Sequence, residues 1–172
     1  GVEVFQFQSL KSDEARAAMK GLDAEIGIMA YVLQFAPQDF VNIPKRGTIQ
    51  YHPSLLPKYR GPSSINWPIA RGDTRTGLTI FRPTDGLDEG PVILQKETDI
   101  GPDDTIGTVY FDRLFPMGVK AMLEAADLVD VLHRLREPGA VAPRARQPEG
   151  RHPHQDRARI ERPDALPAEA EA

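Results

Sequence analysis

A histidine at the end of a short strand pattern is the residue of this chain best placed for acid–base chemistry. Thr48–His52 has the composition of a strand, and a proline-bounded loop follows His52 at once. Because side chains alternate between the faces of a strand, Gln50 and His52 point the same way. His52 stands at a carboxyl end, where ligands collect in open α/β sheets, so it can exchange a proton while Gln50 adds an amide donor. The alternative is a histidine that only caps the strand and bonds a loop carbonyl.

A second polar group lies in the segment TDGLDEG, where Asp85 and Asp88 flank Gly86. A carboxylate beside His52 would stabilise the imidazole cation and fix the orientation of the ring. Aspartate and glycine are also the usual turn formers, which gives the segment an ordinary structural explanation. Asp85 has more of the character of a turn residue, and the spacing alone does not select Asp88.

Composition argues against several other kinds of site. The 172 residues include no cysteine, which excludes disulfides and thiolate nucleophiles and fits a reducing, cytoplasmic location. The net charge of −4 argues against a general nucleic-acid-binding surface. The phosphate-binding glycine patterns of nucleotide sites do not occur in the sequence, and neither does an apolar run long enough to predict a membrane span. We predict no metal site.

The elements that must position His52 follow an alternating pattern in the first third of the chain. Val2–Phe7 alternates as a strand does, and a helix is predicted between an N-cap at Ser12 and a stop at Gly21. The apolar run AEIGIMAYVLQF predicts a strand buried on both faces, and Thr48–His52 predicts another. This alternation of strands and helices is typical of an α/β sheet with parallel strands.

The middle of the chain continues the pattern. The segment SSINWPIARGD predicts a short helix that is kinked or begins after Ser63, because Pro68 is disfavoured inside a helix. Gly77–Phe81 and Pro91–Glu97 have the composition of two further strands. A long helix follows, with Pro116 as its expected point of division.

Several motifs taken together resemble the folate-dependent formyltransferase family. They are HPSLLPKYRGPSSINW, DGLDEGPVILQKE, PDDT and LFPMGVKAM, and the resemblance extends from Gly1 to about Leu128. INW, ILQKE, PDDT and LFP are most similar to the family's branch of 10-formyltetrahydrofolate dehydrogenase hydrolase domains. The resemblance implies an α/β, Rossmann-like fold with a mostly parallel sheet and helices on both faces.

The resemblance also implies a set of catalytic residues. The family's histidine corresponds to His52 and its aspartate to Asp88, while Gln50 stands where the family has asparagine and the hydrolase branch an apolar residue. In the implied mechanism, His52 and Gln50 stabilise the oxyanion formed at the formyl carbon, and Asp88 sets the charge state of His52. Two segments are expected to hold the pterin of the folate. They are Met29, Ala30, Tyr31, Val32 and Leu33, and Pro83, Thr84, Asp85, Gly86 and Leu87.

The implied function is formyl transfer from 10-formyltetrahydrofolate, in the manner of a methionyl-tRNA formyltransferase. The acceptor is expected to be an amine, with initiator methionyl-tRNA as one candidate. One alternative is a hydrolase domain that uses water and releases formate. The other is a non-catalytic remnant of the fold, which the change from asparagine to Gln50 favours and the retained His52 and Asp88 oppose.

Two regions are predicted along the chain. Residues 1–132 are expected to form the catalytic domain, and its first strand is expected to lie upstream of Gly1. Residues 133–172 contain six prolines and closely mixed charges with few large apolar side chains. Because such a segment buries too little surface to offset its chain entropy, we predict a linker or tail that leads towards a further domain.

Overall fold

The computed structural model describes residues 1–136, which form four strands and five helices. The strands are β1 (Gly27–Met29), β2 (Thr48–His52), β3 (Arg75–Phe81) and β4 (Val92–Asp99). The helices are α1 (Asp13–Gly21), α2 (Gln38–Val41), α3 (Asn66–Ala70), α4 (Ile106–Val109) and α5 (Phe115–Arg136), with a π-helical turn at Tyr110–Leu114. The predicted boundary at residue 132 stays a prediction, and residues 137–172 of the predicted tail lie outside the described residues.

The strands form one mixed sheet in the order β1-β2-β3-β4. The α/β class with helices is confirmed, but strand directions differ from the mostly parallel sheet that was expected. Only β1 and β2 are parallel, while β2–β3 and β3–β4 are antiparallel. The connection between β2 and β3 contains only the five-residue α3, and a short loop joins β3 to β4. Neither provides the long crossover that a parallel pair requires.

Two predictions for the first third of the chain were wrong. Val2–Phe7 forms no strand in the structure, and the side chains of Val2 and Val4 are exposed. The strand expected in AEIGIMAYVLQF is limited to Gly27–Met29. Tyr31 has a φ of 57°, a left-handed conformation that ends an extended backbone. The residues after it leave the sheet and become available to line cavities.

Two local signals at helix starts were read correctly. Ser12 is the N-cap of α1, and its hydroxyl accepts a hydrogen bond from the Ala15 N–H. Helix α3 begins at Asn66, after Ser63 as expected, so Pro68 lies in the first turn where its missing N–H costs little. These signals depend only on neighbours in sequence, which explains why they could be predicted.

Helix α5 packs against one face of the sheet. The polar side chains of β2 point to the opposite face. Ile49 and Leu78 are fully buried against Ala121 and Ala125 of α5. Helices α1 and α2 build a second apolar cluster, on the side of Met29. Within the described residues, no helix combines the length and the apolar character needed to span a membrane.

Candidate active site

Strand β2 and the loop of residues 82–91 bring the three predicted catalytic residues into contact in one polar network. The Nδ1 atom of His52 lies 3.3 Å from Oδ2 of Asp88. The Nε2 amide of Gln50 donates to Oδ1 of the same carboxylate at 3.2 Å. Gln50 and His52 therefore share one face of β2, as strand alternation predicts, and Asp88 rather than Asp85 is their partner.

Two backbone groups from the loop after β2 complete the network. The N–H of Gly61 donates to Oδ2 of Asp88 at 2.7 Å, and Nε2 of His52 lies 2.8 Å from the carbonyl oxygen of Tyr59. Both ring nitrogens of His52 thus face oxygen acceptors, and only the imidazolium donates to both. The loop carbonyl considered as an alternative in the sequence is therefore present, together with the carboxylate. Sequence patterns gave no signal for Tyr59 or Gly61 because both act through the backbone.

The histidine and the carboxylate are shielded from solvent. The side chain of His52 is 7% exposed and that of Asp88 is 10% exposed. Hydrogen bonds and charge interactions are stronger in such an environment than in water. An unpaired buried charge would be costly, and here the carboxylate has the Gln50 and Gly61 donors in addition to the imidazole.

Unusual backbone conformations concentrate around this network. Four of the five non-glycine residues with positive φ in the described chain lie at the site: Tyr31, Tyr59, Ser63 and Asp88. The fifth, Asp23, lies in the turn after α1. A left-handed conformation costs a non-glycine residue about 1 kcal/mol or more. Strain of this kind is typical of functional sites, where surrounding contacts hold it in place.

Two cavities meet at the network. The larger has a volume of about 560 Å³ and is bounded by His52, Tyr110 and residues 61–66. The smaller has a volume of about 310 Å³ and lies between the loop after β1 and the loop after β3. Gln50 and Asp88 border both cavities. A molecule in the smaller cavity and a molecule in the larger one would therefore meet at this pair.

The residues predicted to hold a pterin are divided among the cavities. Those that line the smaller cavity are Met29, Val32, Leu33, Pro83, Thr84, Gly86 and Leu87. Tyr31 lines the larger cavity and also, with Ala30, an apolar cavity of about 340 Å³ against α5. Asp85 lines none of these three cavities. The structure thus places seven of the ten predicted residues around the smaller cavity, while Ala30, Tyr31 and Asp85 do not line it.

Two tyrosines near the site are held as neutral phenols. Burial raises the pKa of Tyr51, which lines the larger cavity, above its usual range. A hydrogen bond donated to Oδ2 of Asp73 at 2.7 Å raises the pKa of Tyr59. In the part of the chain that the structure describes, no group of three or more histidine and carboxylate side chains could hold a metal ion.

This geometry agrees with a comparison of the sequence with known families. Residues 2–126 match the sequence profile described as formyl transferase. The chain belongs to the formyl transferase family. A solved family structure, the phosphoribosylglycinamide formyltransferase from Anaplasma phagocytophilum, is 26% identical with a TM-score of 0.61, over 74% of this chain and 65% of that one.

Two curated relatives contain a segment similar to this chain. The cytosolic 10-formyltetrahydrofolate dehydrogenase of Mus musculus is 43% identical over 154 residues, which are 87% of this chain and 16% of the relative. The methionyl-tRNA formyltransferase of Jannaschia sp. (strain CCS1) is 41% identical over 132 residues, 77% of this chain and 44% of the relative. The chain therefore spans less than half of either relative.

Proposed function

We propose that this formyl transferase domain moves the formyl group of 10-formyltetrahydrofolate to an acceptor amine. The observation that carries the proposal is the His52–Asp88 pair, buried at the junction of two cavities in a chain of this family. Both curated relatives described above support it, since one is named for 10-formyltetrahydrofolate and the other for formyl transfer.

In the proposed reaction the folate occupies the smaller cavity, with its flat pterin among the apolar side chains of Met29, Leu33 and Phe81. The acceptor enters the larger cavity. Its nitrogen attacks the formyl carbon, and the bond between that carbon and the folate nitrogen then breaks. The acceptor loses one proton and the folate nitrogen gains one, so the charges balance. Gln50 and Asp88 border both cavities, so they lie where the two substrates would meet.

His52 and Asp88 have distinct tasks in this scheme. The Nε2–H of His52 exchanges the carbonyl of Tyr59 for the oxyanion that develops on the formyl oxygen. A well-placed oxyanion donor is worth about 3 kcal/mol of the barrier. Asp88 orients the imidazole through Nδ1 and supplies a negative charge beside the ring, and it assists proton movement through water. Gln50 holds the second carboxylate oxygen and is the remaining candidate donor to the oxyanion.

Hydrolysis is the second candidate, with water as the acceptor and formate as the product. It is favoured by the 43% identity to a 10-formyltetrahydrofolate dehydrogenase. An acceptor amine carried by a tRNA, such as initiator methionyl-tRNA, is favoured instead by the 41% identity to a methionyl-tRNA formyltransferase. A cytoplasmic location stays a prediction, because the relatives include both cytosolic and mitochondrial dehydrogenases.

The test is turnover of 10-formyltetrahydrofolate by the purified protein, with initiator methionyl-tRNA, with small amines and with no acceptor. We expect His52→Ala and Asp88→Asn to lower turnover by at least about 100-fold. Asp103→Asn is the matched control, because Asp103 is exposed outside the site, and it should retain full turnover. Circular dichroism checks that all variants fold.

The acceptor series separates the candidates. Product that depends on an added amine supports transfer, whereas formate release without any acceptor supports hydrolysis. Folate binding with no product would identify a non-catalytic remnant. Wild-type turnover in both the His52 and the Asp88 variants would overturn the proposed site.

A further inference from the structure

A buried hydroxyl on β3 fastens the loop after β2 to the sheet. Thr79 is fully buried and pairs with His52 in the β2–β3 register. Its Oγ1 donates to the carbonyl of Ser54 at 2.7 Å and accepts from the N–H of Leu56 at 3.0 Å and from Nε2 of Gln95 at 2.9 Å. One donor and two acceptor positions are all that a hydroxyl has, so this one is fully used.

Two further side-chain bonds hold the same loop. The Nε2 atom of Gln95 also donates to the carbonyl of Leu56 at 2.9 Å. The hydroxyl of Ser54, which is fully buried, donates to the carbonyl of Lys58 at 2.6 Å. Residues 53–61, here called the positioning loop, are therefore tied through the backbone at residues 54, 56 and 58. The side chains that form these hydrogen bonds belong to Thr79, Gln95 and Ser54, which is itself in the loop.

The positioning loop supplies the backbone contacts of both His52 and Asp88. Its Tyr59 carbonyl faces Nε2 of His52 at 2.8 Å, and its Gly61 N–H donates to Oδ2 of Asp88 at 2.7 Å. Tyr59 and Gly61 have φ values of 55° and 81°, so these groups point at the site only while the loop keeps an unusual backbone path. A shift of the loop would therefore turn the imidazole and the carboxylate at the same time.

We propose that Thr79 and Gln95 are positioning residues of the active site, which act through the positioning loop to orient the His52–Asp88 pair. The inference rests on the proposed function for its kinetic consequence. Neither residue lines the two cavities that meet at the site, so neither is expected to touch a substrate. Sequence reasoning missed both, because Thr79 and Gln95 lie in ordinary strand patterns.

The kinetic experiment compares isosteric and conservative changes at Thr79. Thr79→Val removes the hydroxyl but keeps the shape, and we expect kcat to fall about 10- to 100-fold, the scale of a small misplacement of reacting groups. The KM for 10-formyltetrahydrofolate should stay within about twofold of the wild-type value, because no positioning-loop residue lines the smaller cavity. Thr79→Ser keeps the hydroxyl and should restore most of kcat. Gln95→Leu, at an exposed position, removes the hydrogen bonds to the Leu56 carbonyl and to Oγ1 of Thr79 and should also lower kcat.

Thr76→Val is the matched control. Thr76 is 3% exposed on the same strand, and strand alternation places it on the face of Leu78 and Ile80, which pack against α5. The same substitution there removes a buried hydroxyl without touching the positioning loop. We expect this variant to keep the wild-type kcat.

A second readout does not depend on turnover. The ¹⁵N and ¹H signals of the His52 ring, recorded without substrate, should shift in Thr79→Val and stay in place in Thr79→Ser and Thr76→Val. Inactivity of the wild-type protein would refute the proposed function while the ring signals still test the inference. Unchanged His52 signals in Thr79→Val, or an equal loss of kcat in Thr76→Val, would overturn it.

Discussion

Replacing Asp88 with asparagine removes one charge from the site and keeps its hydrogen bonds. The carboxylate accepts from Gln50 through Oδ1 and from Gly61 through Oδ2, the oxygen that also faces Nδ1 of His52. An asparagine that places its oxygen at the Oδ2 position still accepts from Gly61. Its amide nitrogen then meets Gln50, whose side-chain amide can turn to present oxygen instead of nitrogen. Asp88→Asn is therefore a test of charge.

The expected magnitudes follow from these contacts. A hydrogen bond to a charged group contributes about 1.5–3 kcal/mol and a neutral one about 0.5–1.5 kcal/mol, so Asp88→Asn should lower the free energy of unfolding by about 1–2 kcal/mol. Asparagine tolerates the φ of 44° at this position, which limits the loss. The imidazole of His52 loses its counter-charge entirely, and turnover should fall by about 10²- to 10⁴-fold.

Asp88→Ala separates the loss of charge from the loss of hydrogen bonds. It leaves the Gly61 N–H and the Gln50 amide, both partly buried, without their partner, at about 1–3 kcal/mol for each group. It also places alanine in a left-handed conformation at a further cost of about 1 kcal/mol. We expect this variant to be less stable than Asp88→Asn by at least about 2 kcal/mol.

Urea unfolding monitored by circular dichroism gives the free energies, and single-turnover measurements with 10-formyltetrahydrofolate give the rates. Turnover of Asp88→Asn within about threefold of the wild-type rate would refute the role assigned to the charge, since general acid–base catalysis contributes far more than that. Equal stability of Asp88→Asn and Asp88→Ala would refute the hydrogen-bond reasoning.

Three further predictions use single substitutions. Gln50→Leu should lower turnover about tenfold, because Oδ1 of Asp88 loses a donor worth about 1.5 kcal/mol; an unchanged rate would show that the amide serves neither the carboxylate nor the oxyanion. Gly90→Ala should lower the free energy of unfolding, measured in urea, by about 2–4 kcal/mol, because φ is 143° there and a Cβ would collide with the Arg82 carbonyl oxygen; wild-type stability would contradict this. Hydrogen bonding to Arg113 holds the pKa of Asp104 well below its ordinary 3.8, so this stabilisation is present above that pH and is lost as the pH falls. The Tm of Asp104→Asn should thus lie below the wild-type Tm at pH 7 and approach it in acid, and a gap that stayed constant with pH would count against the prediction.

Fold features were predictable from the sequence where their causes are local. The Ser12 cap and the strand Thr48–His52 depend on a few neighbouring residues, and both were predicted at their observed positions. The directions of β2, β3 and β4 depend on which strands pair across the sheet, which alternation of residue types does not encode. Tyr31 ends β1 by adopting a left-handed conformation, which the sequence does not predict because aromatic residues rarely adopt it.

Some features of the candidate site could also be predicted from the sequence, and others could not. Alternation along β2 was enough to place Gln50 and His52 on one face, but the choice of Asp88 over Asp85 came from the resemblance to the family. The backbone groups of Tyr59 and Gly61 could not be predicted, because any residue type carries a carbonyl and almost any carries an N–H. Their contribution exists only when the loop is folded onto β3.

In the proposed reaction, competition from the carbonyl of Tyr59 makes the hydrogen bond from His52 favour the transition state over the ground state. The Nε2–H of His52 already has a neutral carbonyl acceptor at 2.8 Å. A ground-state formyl oxygen is also a neutral carbonyl, so exchanging one for the other gains little. As the amine attacks, the formyl oxygen becomes an anion, and a hydrogen bond to an anionic oxygen is stronger than one to a neutral carbonyl. The exchange then becomes favourable only as charge develops, and an interaction that is stronger in the transition state than in the ground state is what raises kcat.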